Sequence, residues 1–126
     1  MAVSMQVNSE FSLGDLFPSG VFDAACPSRT VIDHVTSKWG VLVLVSLDGR
    51  TLRWGELRRS VQGISEKMLA QTLKTLEADG LVAREARPVI PPHVEYSLTP
   101  LGVELVALLN PLLRWITVHA EEMVSR

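Results

Sequence analysis

Ser65, Lys67, Gln71 and Lys74 are the side chains best placed by type and spacing to read another molecule's hydrogen-bonding pattern. Lysine donates to phosphate oxygens or to guanine acceptors, and the glutamine amide both donates and accepts, which allows a bidentate pair with adenine. Cys26 is the single thiol. It precedes a predicted helix start, where unpaired N–H groups and the positive end of the helix dipole favour the thiolate, and Arg29 follows one turn later. One thiol per chain restricts its chemistry to a disulfide between two copies, a mixed disulfide with a small thiol, or alkylation. His34, His93 and His119 have no metal-ligand spacing, no Gly-rich phosphate loop is present, and Cys26 lacks a neighbouring histidine to act as base. The residues therefore point away from an enzyme, a resident cofactor or a metal centre.

These side chains need elements to carry them. With Ser65 as N-cap, a 100° step per residue gathers Leu69, Leu73 and Leu76 into one narrow sector. Lys67, Gln71 and Lys74 fall opposite, with Ala70 near them and Met68 and Thr75 at the edge. Gly80 stops this helix, and a shorter one from about Trp54 to Val61 precedes it, broken by Gly63. Val82–Ala86 and Val94–Leu98 read as strands, joined by a segment whose three prolines, Pro88, Pro91 and Pro92, lack ladder donors. Helix, turn, helix and hairpin in that order is the layout of a winged helix-turn-helix.

Upstream, Pro27 suits the first turn of a helix whose apolar face holds Val31, Ile32 and Val35. A second helix through Trp39, Leu42, Val43 and Leu47 ends at the turn Asp48-Gly49-Arg50. Met1–Ala25 has no sustained period and reads as a partly ordered arm. Downstream, Thr99 caps a last helix with Pro100 in its first turn. Leu101, Leu105, Leu108, Leu109, Leu112, Leu113 and Ile116 make that helix too apolar to stand free in water, and Pro111 should bend it. The expected fold is thus mainly α with a small β-hairpin (α+β). Its parts are an arm over 1–25 and a domain over 26–126, with a helix-turn-helix at 54–79, a wing at 82–98 and a C-terminal helix at 100–125.

The chain's 126 residues, 47% of them hydrophobic and 21% charged, suffice for one compact domain. The net charge of -2 argues against indiscriminate polyanion binding, but the charge is unevenly placed. From Arg50 to Arg87, eight basic residues face five acidic ones, while the rest of the chain holds four basic and nine acidic. An acidic protein with one basic module can direct that module at phosphates. The best membrane candidate, Val41–Leu47, is bracketed by Lys38, Asp48 and Arg50 and falls short of the ~20 residues a bilayer requires. Met1–Gly20 has no basic start and carries Glu10 and Asp15, unlike a signal peptide. With a lone cysteine that cannot form an internal disulfide, the expected compartment is the cytoplasm.

The chain resembles the HxlR-type transcription regulators, relatives of the MarR winged-helix proteins, over Cys26–Trp115, about seventy per cent of its length. The resemblance rests on Cys26-Pro27, Lys38-Trp39, Arg53-Trp54-Gly55-Glu56-Leu57 and Ile64-Ser65-Glu66-Lys67-Met68-Leu69. It continues through Leu76–Val82, Pro91–Thr99, Leu101-Gly102 and Trp115. Ser37 stands where the family has glycine, and Trp54 where it has phenylalanine. The resemblance implies a homodimer joined through N- and C-terminal helices. That dimer would bind a roughly palindromic operator in double-stranded DNA and repress or activate a nearby gene.

On that footing Ser65, Lys67, Gln71 and Lys74 are expected to face the major groove, and Arg53, Arg58 and Arg59 to touch backbone phosphates. Arg84, Arg87 and His93 would follow the wing towards the minor groove. The position of Cys26 is one at which relatives sense electrophiles or oxidants. Blander readings stand beside these. Lys67, Gln71 and Lys74 have the spacing of a solvated helix face, the last helix could pack on its own domain, and Cys26 could be an inert apolar residue. A small aromatic or aldehyde effector is a rival trigger, suggested by Trp39, Trp54 and Trp115, although tryptophans are commoner as core. A protein-docking winged helix is the rival function. It would carry apolar or acidic residues where Lys67, Gln71 and Lys74 stand.

Overall fold

A computed structural model of the chain describes residues 22–125, so most of the expected arm lies outside the described residues. The chain divides into two compact units between His34 and Val35. The described part of the first is a short turn followed by helix α1, Pro27–Val35, which runs into the second unit. The Cys26 N–H donates to the Asp23 carbonyl at 3.0 Å, and its carbonyl accepts from the Arg29 N–H at 2.9 Å. The Arg29 guanidinium donates to the Phe22 carbonyl at 3.1 Å.

The second unit holds α2 (Lys38–Ser46), β1 (Leu52–Arg53), α3 (Trp54–Ser60), α4 (Glu66–Ala78), β2 (Val82–Arg87), β3 (His93–Leu98) and α5 (Pro100–Val124). Each start has a local cause. Ser37 Oγ accepts from the Gly40 N–H at 3.1 Å, Ser65 Oγ from Met68 at 3.0 Å and Thr99 Oγ1 from Gly102 at 3.1 Å, each satisfying one orphan N–H of a first turn. At α3, Glu56 Oε1 reaches back to the Arg53 N–H at 2.8 Å. Gly80, at φ +78°, supplies the left-handed residue that ends α4.

The strands form an antiparallel sheet in the order β1-β3-β2. The hairpin is one residue longer at each side than the sequence suggests, because Arg87 and His93 still pair before the prolines interrupt the ladder. β1 was legible only as a core leucine; two residues are too short to show a period of two, yet Leu52 pairs with Tyr96 and Arg53 with Glu95. Val43, Leu44, Leu57 and Leu69 are completely buried at the centre of the unit, with Leu47, Leu76 and Val106 nearly so. Trp39 and Trp54 pack against this core as expected, but Trp115 is 52% exposed and belongs to no core.

At its start α5 is locked to the end of α4. The Thr99 hydroxyl donates to the Gly80 carbonyl at 2.6 Å, and the Thr99 N–H donates to the Leu81 carbonyl at 3.0 Å. A Cβ at Gly102 would collide with that same Leu81 carbonyl oxygen, so only glycine allows this close approach. Farther on, Asn110 Nδ2 donates to Asp48 Oδ2 at 2.9 Å. Helix α5 continues unbroken through Pro111.

The apolar side of α5 is only partly used, with Val106 and Leu109 buried and Leu101, Leu108, Leu112, Trp115 and Ile116 exposed. Leu101, Leu105, Leu108, Leu112 and Trp115 recur at alternating intervals of four and three, the seam of a coiled coil. By length and composition α5 is also the one described helix long and apolar enough to cross a membrane. That corrects the expectation that no apolar stretch reaches such a length.

Candidate nucleic-acid interface

Helix α4 divides cleanly. Leu69, Leu73 and Leu76 are buried, with Thr72 beside them, while Lys67, Ala70, Gln71 and Lys74 are exposed. Among the described residues, no hydrogen bond or ion pair engages the side chains of Lys67, Gln71 or Lys74. The small Ala70 between them leaves room for a close approach. Ser65 is exposed too, but its oxygen is committed to the cap, which leaves its hydroxyl proton as the group it can offer.

The second basic group lies on α3. Arg58 and Arg59 occupy its last turn, and Arg53 is exposed just before its first. An open concavity of about 900 Å³ between the helices is lined by Trp54, Gly55, Arg58, Arg59, Gln62, Gly63, Ile64 and Glu66. Arg58 Nη1 lies 3.7 Å from Glu66 Oε1, a loose, exposed pair that a phosphate could displace at little cost. Gln62 was not foreseen. It sits in the turn, where no periodicity marks it.

The hairpin is less plainly basic than the sequence suggests. The register places Ala83, Glu85 and Arg87 on one face with Ser97, Glu95 and His93, and Val82, Arg84 and Ala86 on the other with Leu98, Tyr96 and Val94. On the first face Glu85 and Glu95 stand directly opposite one another. Arg87 bridges them at 2.9 and 3.5 Å, and His93 Nε2 lies 3.1 Å from Glu95 Oε2. Two residues expected to follow the wing towards the minor groove, Arg87 and His93, are therefore already engaged by the carboxylates of Glu85 and Glu95. Alternation along Glu85-Ala86-Arg87 was the available signal. Arg84 is set apart, alone as a charge on the otherwise apolar face.

Cys26 is partly exposed and free. Among the described residues no group of three or more His, Cys, Asp or Glu is placed to hold a metal ion.

A polar helix face with free lysines, a preceding helix tipped with arginines and a hairpin are thus assembled in one unit. A family model described as HxlR-like helix-turn-helix matches residues 34–124. The chain belongs to the HxlR family of helix-turn-helix transcriptional regulators. It is similar to the uncharacterized HTH-type transcriptional regulator YtfH of Escherichia coli K12, with 50% identity over 118 residues, 93% of this chain and 94% of that one. Among solved structures, ytfH from Salmonella typhimurium is 50% identical with a TM-score of 0.78, covering 84% of this chain and 95% of that chain. The redox regulator HypR in its reduced form is 32% identical with a TM-score of 0.71, covering 80% and 100%. This HxlR-family chain therefore has the winged helix-turn-helix fold of its relatives.

Proposed function

We propose that the chain acts in the cytoplasm as a homodimeric, operator-binding regulator of a nearby gene, reading a roughly palindromic site in double-stranded DNA. The observation that carries this reading is the division of α4, whose buried leucines fix the helix while Lys67, Gln71 and Lys74 stand free beside Ala70. Such a surface reaches base edges in the major groove, with Gln71 suited to adenine and either lysine to guanine or a phosphate. Arg53, Arg58 and Arg59 hold the backbone, and Arg84 leads the wing contacts, with Arg87 and His93 joining once they exchange carboxylate for phosphate. The exposed seam of α5 favours a second copy as its cover, and two copies of α4 about 34 Å apart would meet successive turns of one duplex face.

A protein-docking role is disfavoured by the same free lysines. The test is fluorescence anisotropy on DNA upstream of the chain's own gene, with random-sequence competitor at moderate salt. Gln71→Ala should lose about 1–3 kcal/mol at one base position of the site and nothing at the others. A uniform loss across all positions, or none at all, would refute the assignment.

A thiol switch at Cys26 is the second reading, favoured by its partial exposure ahead of α1 and by the likeness to a redox regulator solved in oxidized and reduced forms. Operator binding by wild type and Cys26→Ser should differ after diamide treatment. An equal oxidant response in both would remove the switch.

A further inference from the structure

The hairpin ends in a run without a polar side chain. Pro88, Val89, Ile90, Pro91 and Pro92 are all exposed, Val89 at 50% and Ile90 at 99%. Other turns of the same unit show Asp48, Arg50 and Gln62 to water instead. Single exposed apolar residues are ordinary, but an unbroken exposed run of this length marks a surface that something else covers. Prolines fix φ at three of its positions, so the tip is held in shape and loses little freedom when covered.

The surroundings of the tip say what covers it. Arg84 of β2 lines one concavity with Ala70 and Lys74 of α4, so the hairpin rises beside the exposed face of that helix. At about 3.3 Å per residue the six residues of β2 carry the tip roughly 20 Å from Val82. That reach matches the half turn of duplex, about 17 Å of a 34 Å repeat, between a major groove and the minor groove flanking it. Lys67, Lys74 and Arg84 on the near side suit a polyanion. At the root of the tip Arg87 and His93 are held by Glu85 and Glu95, so what the tip itself offers is apolar contact.

We propose that Ile90 is a minor-groove wedge, one in each half-site, that enters between two base pairs with Val89 and the prolines packed behind it. The inference rests on the DNA reading above and adds a deformation to it. An aliphatic side chain between base pairs unstacks them and kinks the duplex towards the major groove, the groove assigned to α4. Pyrimidine–purine steps unstack most easily, so the operator is selected for such a step at a position that no hydrogen bond reads.

The test uses the full chain and the upstream fragment it binds, with 2-aminopurine replacing one flanking adenine at a time and a donor–acceptor dye pair on the fragment's ends. Wild type should brighten 2-aminopurine at one step in each half-site and bring the dyes closer. Ile90→Ser should abolish both signals and bind about tenfold more weakly, the affinity that burying one isoleucine side chain confers, while Ile90→Leu keeps both. Ile90 is almost fully exposed, so neither variant disturbs the leucine core. A wild type that binds the fragment without brightening or bending, or an Ile90→Ser that still does both, would overturn the wedge and leave the DNA reading standing. A wild type that prefers no upstream fragment would sink the DNA reading and the wedge together. Cosedimentation with phosphatidylglycerol vesicles that Ile90→Ser abolishes, in a chain whose bound DNA stays straight, would overturn the wedge and assign the tip to a lipid surface.

Discussion

Helices α4 and α5 are both amphipathic, yet they spend their two faces in opposite ways. α4 buries its leucines within its own chain and shows lysine, glutamine and alanine to solvent, whereas α5 buries Val106 and Leu109 and leaves Leu108, Leu112, Trp115 and Ile116 exposed. A solvated polar face costs nothing to keep, so α4 can wait for DNA. An exposed apolar seam is costly in water, at roughly 25 cal/mol per Å², so α5 calls for a permanent cover. On the function proposed above, the face of α4 suits a transient partner and that of α5 a lasting one.

The largest expected effect tests the buried half of that contrast. Leu69→Ala, at a completely buried position, should cost about 2–5 kcal/mol in urea unfolding, whereas Leu112→Ala on the exposed seam should cost far less in a chain kept monomeric by dilution. Comparable losses at the two positions would erase the distinction. Next in size is Leu112→Glu combined with Ile116→Glu. Two charges placed on an interface that excludes water should convert a dimer to a folded monomer in sedimentation, with unchanged helical circular dichroism. A wild type that already sediments as a monomer would contradict the account of α5.

Ser65→Ala should cost about 1 kcal/mol of stability through the lost cap at the start of α4, and it should weaken DNA binding further because the first turn carries Lys67. The smallest effect is expected at Arg87. Because Glu85 and Glu95 already hold it, Arg87→Ala should reduce the salt slope of DNA binding by about 1 or less, uniformly across sequences, and less than Lys74→Ala does. A larger effect at Arg87 than at Lys74 would reverse the ranking of wing and helix.

Much of this was readable from residue order. The caps Ser65 and Thr99, the stop at Gly80 and the leucine sector of α4 are local signals with a fixed period, and the structure reproduces each of them. What escaped was non-local. β1 exists only because β3 lies beside it, Arg87 and His93 are engaged because Glu85 and Glu95 meet across the hairpin, and Arg84 shares the apolar face by register alone while staying exposed. The exposure of Trp115 escaped for a different reason, since an aromatic residue on a leucine-rich helix reads the same whether its own chain or another covers it.

The central claim, that the free face of α4 reads bases, is tested most directly by binding wild type and Gln71→Ala to an operator library carrying every single-base substitution. The account predicts that the alanine variant loses discrimination at one position, repeated symmetrically in the two half-sites, and keeps the rest of the profile. A Gln71→Ala profile that parallels wild type at every position would contradict it.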